Sequence, residues 1–255
     1  MNTPAETASA RVFLRVLGRT LWRGGAASRP FLARTSLAET FVRPALRALA
    51  AAGVEVRLGH TLRRLNVSRS RAGDLEFDDQ VLHLGRKDCV VLAVSWPVAA
   101  GLLGTLPDLP SSPIVNAHFR LSAPPSHLSS GGFLGLLGGC AHWLFLRGDV
   151  LSVTVSAATD LAERPVGEVG DRLWRDAATA LDLPGSPSSV RVIKEKRATL
   201  LHSPEVEARR PPPRAGDNLF LAGDWTATGL PCTLEGAICS GRTAAGLVRR
   251  FSETW

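Results

Sequence analysis

The sequence has 255 residues, of which 45% are hydrophobic and 21% are charged, and this balance predicts a folded chain with a sizeable core. Its 30 Lys and Arg residues outnumber its 23 Asp and Glu residues, but the basic residues are scattered and not interleaved with aromatic ones, which argues against nucleic-acid binding. No apolar stretch reaches the roughly eighteen residues of a membrane span, and the N-terminus lacks a signal-peptide core, so we expect a cytoplasmic protein.

The N-terminal third of the chain predicts two helices followed by strands. Residues 5–20 place Arg11, Arg15 and Arg19 on one helix face and apolar residues around the other. A half-buried helix is the favoured interpretation, and peripheral contact with the inner membrane face is the alternative. A second helix is predicted at residues 36–52, where Gly53 ends it, and strands are predicted at residues 54–58, 61–67 and 89–94.

The middle of the chain predicts an antiparallel sheet with helices. A helix pattern begins near residue 98 and a longer one covers residues 166–181. Apolar and alternating runs predict strands at residues 114–121, 141–146, 151–156 and 190–196.

The four cysteines indicate no metal site. Cys89, Cys140, Cys232 and Cys239 contain no C-x-x-C pair and no ligand spacing with the six histidines, so we expect free thiols. Cys232 lies in a loop with no base beside it in the sequence, which favours an inert thiol over a redox role.

The C-terminal segment predicts a strand, a loop and a helix that together can hold a nucleotide or a flavin. Residues 219–222 form a short apolar run typical of a buried strand, and Gly223 at its end would let a ligand approach the backbone. Asp224 at the same edge can accept hydrogen bonds from the hydroxyl groups of a ribitol chain.

The helix that follows is predicted to begin after Thr233, which is a plausible N-cap, and to run to about Arg250, with Glu235 in its first turn. Small residues recur at four-residue spacing and leave two adjoining helix faces nearly bare, so we expect another part of the protein or a ligand to pack very close. They are Gly236, Ser240 and Ala244 on one face and Ala237, Gly241 and Ala245 on the other.

These motifs resemble those of a flavoprotein family. Residues 221–226 and 228–231 are similar to the C-terminal flavin motif of the amine oxidase and phytoene desaturase superfamily, and most of all to its hydroxysqualene dehydroxylase members. The similarity extends to residues 90–94, 112–116, 192–199 and 207–211. It implies that FAD is the cofactor. The implied cofactor-binding residues are Gly223, Asp224, Thr233, Leu234, Glu235 and Gly236, together with the backbone near Leu62 at the adenine.

The resemblance also implies the fold class, which is an α/β FAD-binding fold of two domains with an α+β substrate domain. Residues 36–95 and 206–255 are expected in the FAD domain, and residues 1–35 and 96–205 in the substrate domain. A dinucleotide-binding fold also needs a G-x-G-x-x-G turn between a strand and a helix, and the sequence contains none. We therefore expect the C-terminal portion of the fold without its N-terminal βαβ unit, either because the gene product is truncated or because the start codon is placed too late.

The implied reaction is the reductive removal of the hydroxyl group of hydroxysqualene to give squalene, in squalene and hopanoid biosynthesis, with a hydrophobic triterpene as substrate. No catalytic acid is identified: His118, His142 and Glu195 are candidates by residue type alone. Trp143, Phe145 and Phe133 are either lining for an isoprenoid tunnel or plain core. The alternatives are a general amine oxidase, a carotenoid desaturase-like flavoprotein, and a non-catalytic half-enzyme that needs a separate N-terminal chain.

Overall fold

The computed structural model describes residues 1–33, 35–123, 125, 128, 132–253 and 255. In these residues the chain forms seven α-helices and ten strands, with a short 3₁₀ helix at Leu21–Arg23 and a π-helical turn at Ala38–Val42. The helices are α1 (Ala10–Arg19), α2 (Arg43–Ala51), α3 (Trp96–Leu103), α4 (Thr159–Glu163), α5 (Val166–Leu181), α6 (Pro204–Arg209) and α7 (Leu234–Ser252). The strands are β1 (Leu62–Ser68), β2 (Arg71–Phe77), β3 (Val81–His83), β4 (Val90–Leu92), β5 (Ser111–Arg120), β6 (Phe133–Gly135), β7 (Trp143–Arg147), β8 (Val150–Ser156), β9 (Ser189–Leu200) and β10 (Leu219–Leu221).

The chain divides into two compact units. The first unit comprises Met1–Thr7, Arg29–Thr40 and Ser111–Leu201, and the second comprises Ala8–Ser28, Phe41–Pro110 and His202–Trp255. Residues 8–28, which the sequence analysis placed with the substrate domain, group with the second unit. The assignment of a flavin domain and a substrate domain stays a prediction.

The first unit is built on a five-stranded antiparallel sheet with strand order β6-β7-β8-β5-β9. One face of the sheet carries the core, because alternate residues of β5, β7 and β8 are fully buried. Helix α5 contributes Val169, Leu173, Ala177 and Leu181 to this core, at the four-residue spacing that keeps side chains on one helix face.

The opposite face of that sheet mixes aromatic and polar side chains. The Phe133 ring lies 5.9 Å from the Trp143 ring and 6.1 Å from the Phe145 ring, measured between centroids. Nearby on the neighbouring strands, Thr154 donates a hydrogen bond to Asn116 at 2.7 Å. Trp143 and Phe133 remain 42% and 37% exposed, so these residues lie outside the core of the unit.

The second unit contains two small sheets. Strands β1, β2 and β3 form an antiparallel sheet, and β4 pairs with β10 in parallel. Asn218 joins the two sheets: its fully buried amide accepts a hydrogen bond from the Ala72 N–H at 2.8 Å and donates to the Ala72 and Asp88 carbonyls at 3.0 and 3.1 Å.

Most of the predicted elements are confirmed, and α5 has the predicted bounds of residues 166–181. The predicted strand at residues 54–58 is wrong. Val54, Val56 and Leu58 are 48%, 45% and 84% exposed and pair with no strand in the described residues, so their alternation does not reflect a sheet face. Helix α1 begins at Ala10 and not at residue 5. No helix among the described residues combines the length and the apolar character needed to cross a bilayer.

Candidate functional site

The C-terminal strand, loop and helix form as predicted. All three residues of β10 are buried, and the chain then passes through a loop to α7. Thr233 has extended backbone dihedrals and its hydroxyl accepts a hydrogen bond from the Gly236 N–H at 3.2 Å, which is the geometry of an N-cap. The loop at residues 222–233 and the first turn of α7 are the candidate site.

Asp224 lies beside the first turn of α7. A β-carbon placed on Gly236 would stand 3.8 Å from the β-carbon of Asp224, so the structure brings these two predicted residues together. The main-chain N–H groups of Asp224 itself and of Trp225 act on its carboxylate in the direction that lowers its pKa. Burial raises the pKa of Asp224 above its ordinary value of 3.8, and the positive charge of Arg210 opposes that rise.

The two glycines of the site have packing reasons for lacking a side chain. A β-carbon on Gly223 would lie 2.3 Å from the indole nitrogen of Trp225, and one on Gly236 would lie 2.7 Å from the Pro231 carbonyl oxygen. Trp225 is held in this position because its indole N–H donates to the Val94 carbonyl at 2.9 Å and its ring packs against Trp96, 5.5 Å away between centroids. The protein itself therefore fills the space that a side chain at Gly223 would need.

Ser240 ties α7 to the end of β10. Its hydroxyl accepts a hydrogen bond from the Gly223 N–H at 3.0 Å and shares a second one of 2.7 Å with the Thr226 hydroxyl. Gly236, Ser240 and Ala244 are buried, which explains one of the two small-residue faces of the helix. The other face differs, because a β-carbon on Gly241 would meet nothing within 4 Å and Ala245 is exposed.

Arg210 is the central donor of the loop, and its side chain is completely buried. Its guanidinium donates to the Leu230 carbonyl at 2.7 Å, to the Trp225 carbonyl at 3.3 Å, to the Asp224 carbonyl, and to the Thr228 hydroxyl at 3.2 Å. One buried cation therefore fixes the main chain of the loop from residue 224 to residue 230.

Glu207 balances the charge of Arg210. Both of its carboxylate oxygens accept hydrogen bonds from Arg210, at 3.1 and 3.0 Å, and one also faces the Nδ1 atom of His202 at 2.6 Å. Burial raises the pKa of Glu207, but the hydrogen bond from His202 and the charge of Arg210 outweigh it and leave the pKa below its ordinary value of 4.5.

His202 carries this network to the start of α7. Its Nε2 atom accepts a hydrogen bond from the Cys232 N–H at 2.9 Å, and its Nδ1 atom faces Glu207. The Cys232 thiol donates to the Asp224 carbonyl at 3.5 Å and lies within the fixed loop. In the sequence, Glu207 and Arg210 were recognised only as part of a family motif, and no pattern indicated His202.

The remaining predicted residues lie at the edges of the site or away from it. Leu234 begins α7 and is 55% exposed, and the Glu235 carboxylate accepts a hydrogen bond from Arg19 of α1 at 3.2 Å. Leu62 is the first residue of β1, an edge strand of the three-stranded sheet, and its predicted contact with adenine stays a prediction.

The three side chains considered as catalytic acids lie in the first unit. His118 Nδ1 is 2.8 Å from the Ser152 hydroxyl, His142 Nδ1 accepts from the Ser156 N–H at 3.1 Å, and Glu195 accepts from the Arg197 N–H at 3.1 Å. Burial lowers the pKa of His118 below its ordinary value of 6.5, and the charge of Arg191 lowers it further.

The residues of the site fit one side of a flavin. The Asp224 carboxylate has no side-chain hydrogen-bond donor in the described part of the chain, which leaves acceptor capacity for the hydroxyl groups of a ligand. The N–H groups of Leu234 and Glu235 likewise have no acceptor among the described residues, and they lie at the positive end of a helix of 19 residues. A hydroxyl-bearing group and an anionic edge, both present in FAD, match these donors and acceptors.

Comparison with known proteins identifies the family of the chain. The family model described as flavin-containing amine oxidoreductase matches residues 35–249. A hydroxysqualene dehydroxylase of Sinorhizobium fredii is 41% identical over all of this chain and 60% of its own length, and one of Zymomonas mobilis is 39% identical over 99% of this chain and 61% of its own length. The chain thus spans about 60% of the length of these relatives.

A solved structure shows the same fold. Wild-type putrescine oxidase bound to putrescine superposes with a TM-score of 0.59 at 16% identity, covering 82% of this chain and 53% of the oxidase. The predicted fold class and the predicted resemblance are confirmed, and the cofactor of this class of protein is a flavin. The chain belongs to the family of flavin-containing amine oxidoreductases.

Proposed function

We propose that Asp224 and the N-terminus of α7 hold FAD, and that the whole protein is an oxidoreductase that removes the hydroxyl group of hydroxysqualene to give squalene. The observation that carries the first part is the position of the half-buried Asp224 beside the first turn of a long helix, where its β-carbon lies 3.8 Å from a β-carbon placed on Gly236. The second part is supported by relatives of that name that are 39–41% identical to this chain.

The residues of the second unit have distinct tasks in this proposal. Asp224 accepts hydrogen bonds from the ribityl hydroxyl groups of FAD, and the open amides of Leu234 and Glu235 favour negative charge on the nearby edge of the ring system. Arg210 keeps the loop in one conformation, so these groups are in place before the cofactor binds. Reduced FAD, when bound, would supply a hydride to the substrate carbon.

The substrate is proposed to contact the aromatic face of the first-unit sheet. Phe133, Trp143 and Phe145 form a continuous ring cluster that is partly exposed, on the face opposite the core. Such a surface suits a long hydrocarbon chain, because burying apolar area is its main source of binding energy. The neutral His118 and the Asn116–Thr154 pair on the same face would contact the polar hydroxyl end.

The activity belongs to the whole protein, of which this sequence provides one part of the cofactor site. We propose that the diphosphate of FAD is bound by polypeptide outside these 255 residues, either in the same protein or in a separate N-terminal chain. Peripheral contact with the inner face of a membrane is proposed as the way in which the triterpene reaches the protein.

The test measures FAD binding with Asp224→Ala and a matched variant. Asp217→Ala removes the same charge from an exposed position of the same unit. Each variant is purified alone and after co-expression with a chain that carries a G-x-G-x-x-G turn. We expect Asp224→Ala to weaken FAD binding by about 1.5–3 kcal/mol, or roughly 10- to 150-fold, because a charge-assisted hydrogen bond is lost, and Asp217→Ala to bind as the wild type does.

Activity is measured on the same preparations. Flavin-loaded protein, reduced with dithionite, should convert hydroxysqualene to squalene. Protein that stays colourless in every pairing, or an Asp224→Ala variant with unchanged affinity, contradicts the proposed cofactor site. Flavin-loaded protein that oxidises an amine or desaturates a carotenoid precursor but leaves hydroxysqualene unchanged contradicts the substrate while keeping the site.

A further inference from the structure

A cavity of the second unit lies at the start of α1 and has a volume of about 530 Å³. Its lining includes the polar and charged residues Ser9, Arg11 and Arg15, together with the apolar residues Val12, Pro204 and Ala208. The proposed cofactor-binding side chains, Asp224 and Glu235, do not line it. It shares Ala227 and Gly229 with the loop at residues 222–233, but the arginines that line it are not among the proposed cofactor-binding residues.

The N-terminus of α1 has free hydrogen-bond donors. Ser9 has the extended backbone of an N-cap, but its side chain makes no cap hydrogen bond. In the part of the chain that the structure describes, the Ser9 hydroxyl has no partner, although the residue is only 5% exposed. The amides of Ala10, Arg11 and Val12 also have no acceptor among the described residues. The Ser9 hydroxyl at the cavity wall and these three amides thus lie at one helix start without a partner in the described part of the chain.

The charges around this helix start have one sign. Arg11 lies in the first turn, Arg15 lies one turn further on, and the first turn contains no acidic residue. A cation at the positive end of a helix and two cations at i, i+4 spacing are both unfavourable without a counter-ion. Neither arginine has an ion pair within the described residues, and Arg15 extends over Gly229, where a β-carbon would lie 1.4 Å from its Nη1 atom.

Among the residues that the structure describes, Glu207 is the one carboxylate at the cavity, and its charge is already balanced. Glu207 borders the cavity, but its oxygens are bonded to Arg210 and face His202. It therefore leaves the charge of Arg11 and Arg15 available to a ligand.

We propose that this cavity binds a phosphate-type oxyanion, held by Ser9, the first amides of α1, Arg11 and Arg15. Helix N-termini with nearby arginines bind phosphate groups well, because the amides and the guanidinium match its oxygens. The apolar lining residues Val12, Pro204 and Ala208 suit an ester whose remaining part is a hydrocarbon. This site goes beyond the proposed function, whose substrate is an uncharged alcohol.

The test measures binding of three probes to the full chain by equilibrium dialysis and by the shift in melting temperature. The probes are inorganic phosphate, dodecyl phosphate below its micelle concentration, and dodecanol as the uncharged analogue. We expect dodecyl phosphate to bind and dodecanol to bind at least about tenfold more weakly, which is the scale of one charge-assisted hydrogen bond. If inorganic phosphate binds as tightly as dodecyl phosphate, the natural ligand is a free anion. If inorganic phosphate binds more weakly than dodecyl phosphate, the natural ligand is an ester.

Three variants and one control identify the site. Arg11→Gln, Arg15→Gln and Ser9→Ala should each weaken binding of dodecyl phosphate, the two arginine variants by about tenfold or more. Arg47→Gln removes a charge from the exposed helix α2 of the same unit and should leave binding unchanged. Without ligand, Arg15→Gln should melt at or above the wild-type temperature, because it removes a repulsion. Equal binding of dodecanol and dodecyl phosphate, or wild-type binding by both arginine variants, would overturn the proposal.

Discussion

Replacing Arg210 by methionine tests how the candidate site is held together. The guanidinium is completely buried and donates to both oxygens of Glu207, to three main-chain carbonyls and to the Thr228 hydroxyl. Methionine fills a similar length but donates nothing. The substitution therefore removes every one of these hydrogen bonds without leaving a large void.

The expected cost follows from the burial of the pair. Removing one partner of a buried ion pair typically costs about 3–5 kcal/mol, because the remaining charge stays without compensation. The unsatisfied carbonyls of Asp224, Trp225 and Leu230 would add to this, but the loop can relax and admit water. His202 still faces Glu207. We therefore expect Arg210→Met to lower the free energy of unfolding by about 4 kcal/mol, which corresponds to a fall of roughly 8–16 °C in melting temperature.

The assay is thermal and urea unfolding followed by circular dichroism, with Arg209→Met as the matched control. Arg209 is the neighbouring residue, but it is exposed and bonds only to the Asp108 carbonyl within the described residues. Arg209→Met should therefore lower the free energy of unfolding by at most about 1 kcal/mol. The reasoning is refuted if Arg210→Met unfolds within 1 kcal/mol of Arg209→Met, since the buried network would then contribute little.

Three other changes test single contacts. Thr233→Ala removes the cap on the Gly236 amide and should cost about 1 kcal/mol in urea unfolding, whereas a neutral result would show that the cap is not needed. Leu173→Ala, at a fully buried position, should cost about 2–5 kcal/mol, against about 0.5 kcal/mol or less for Val166→Ala at the exposed start of the same helix. Glu207→Gln should remove the pH-dependent contribution of this carboxylate to the free energy of unfolding. The folded-state pKa of Glu207 lies below 4.5, so its stabilisation is complete above that pH and declines as the pH falls toward the folded-state value. The stability difference between wild type and Glu207→Gln, measured between pH 6 and pH 3, should therefore shrink on acidification, and a constant difference would contradict this.

Apolar patterns in the sequence were sufficient to predict the elements that contribute strongly to the core. Helix α5 and strand β10 have strong apolar patterns, and both form where the sequence predicts them. Strand β2 could not be found in this way, since its sequence contains Gly73 and charged residues and it is held by pairing with β1 and β3. The opposite error occurs at residues 54–58, where an alternating pattern has no partner strand in the part of the chain that the structure describes.

The position of the candidate site could be predicted from the sequence, but the hydrogen-bond network that holds its loop could not. The strand end, Asp224 and the cap at Thr233 lie within about ten residues of each other in the sequence, and local patterns locate them. The network of His202, Glu207 and Arg210 has no such signature, because its partners are carbonyls and an amide of a loop 14–30 residues further on. Main-chain partners leave no trace in residue types, so only coordinates show them.

Asn218 has a consequence for how the second unit can vary. Its side chain accepts one hydrogen bond and donates two. Aspartate at this position would lack the donors, and leucine would lack the donors and the acceptor. Because this amide joins the sheet of β1, β2 and β3 to residues that flank β4 and β10, the turns of that small sheet can lengthen or shorten while its attachment stays the same. A chimaera that exchanges residues 62–83 with those of a relative should therefore fold whenever asparagine is retained at position 218.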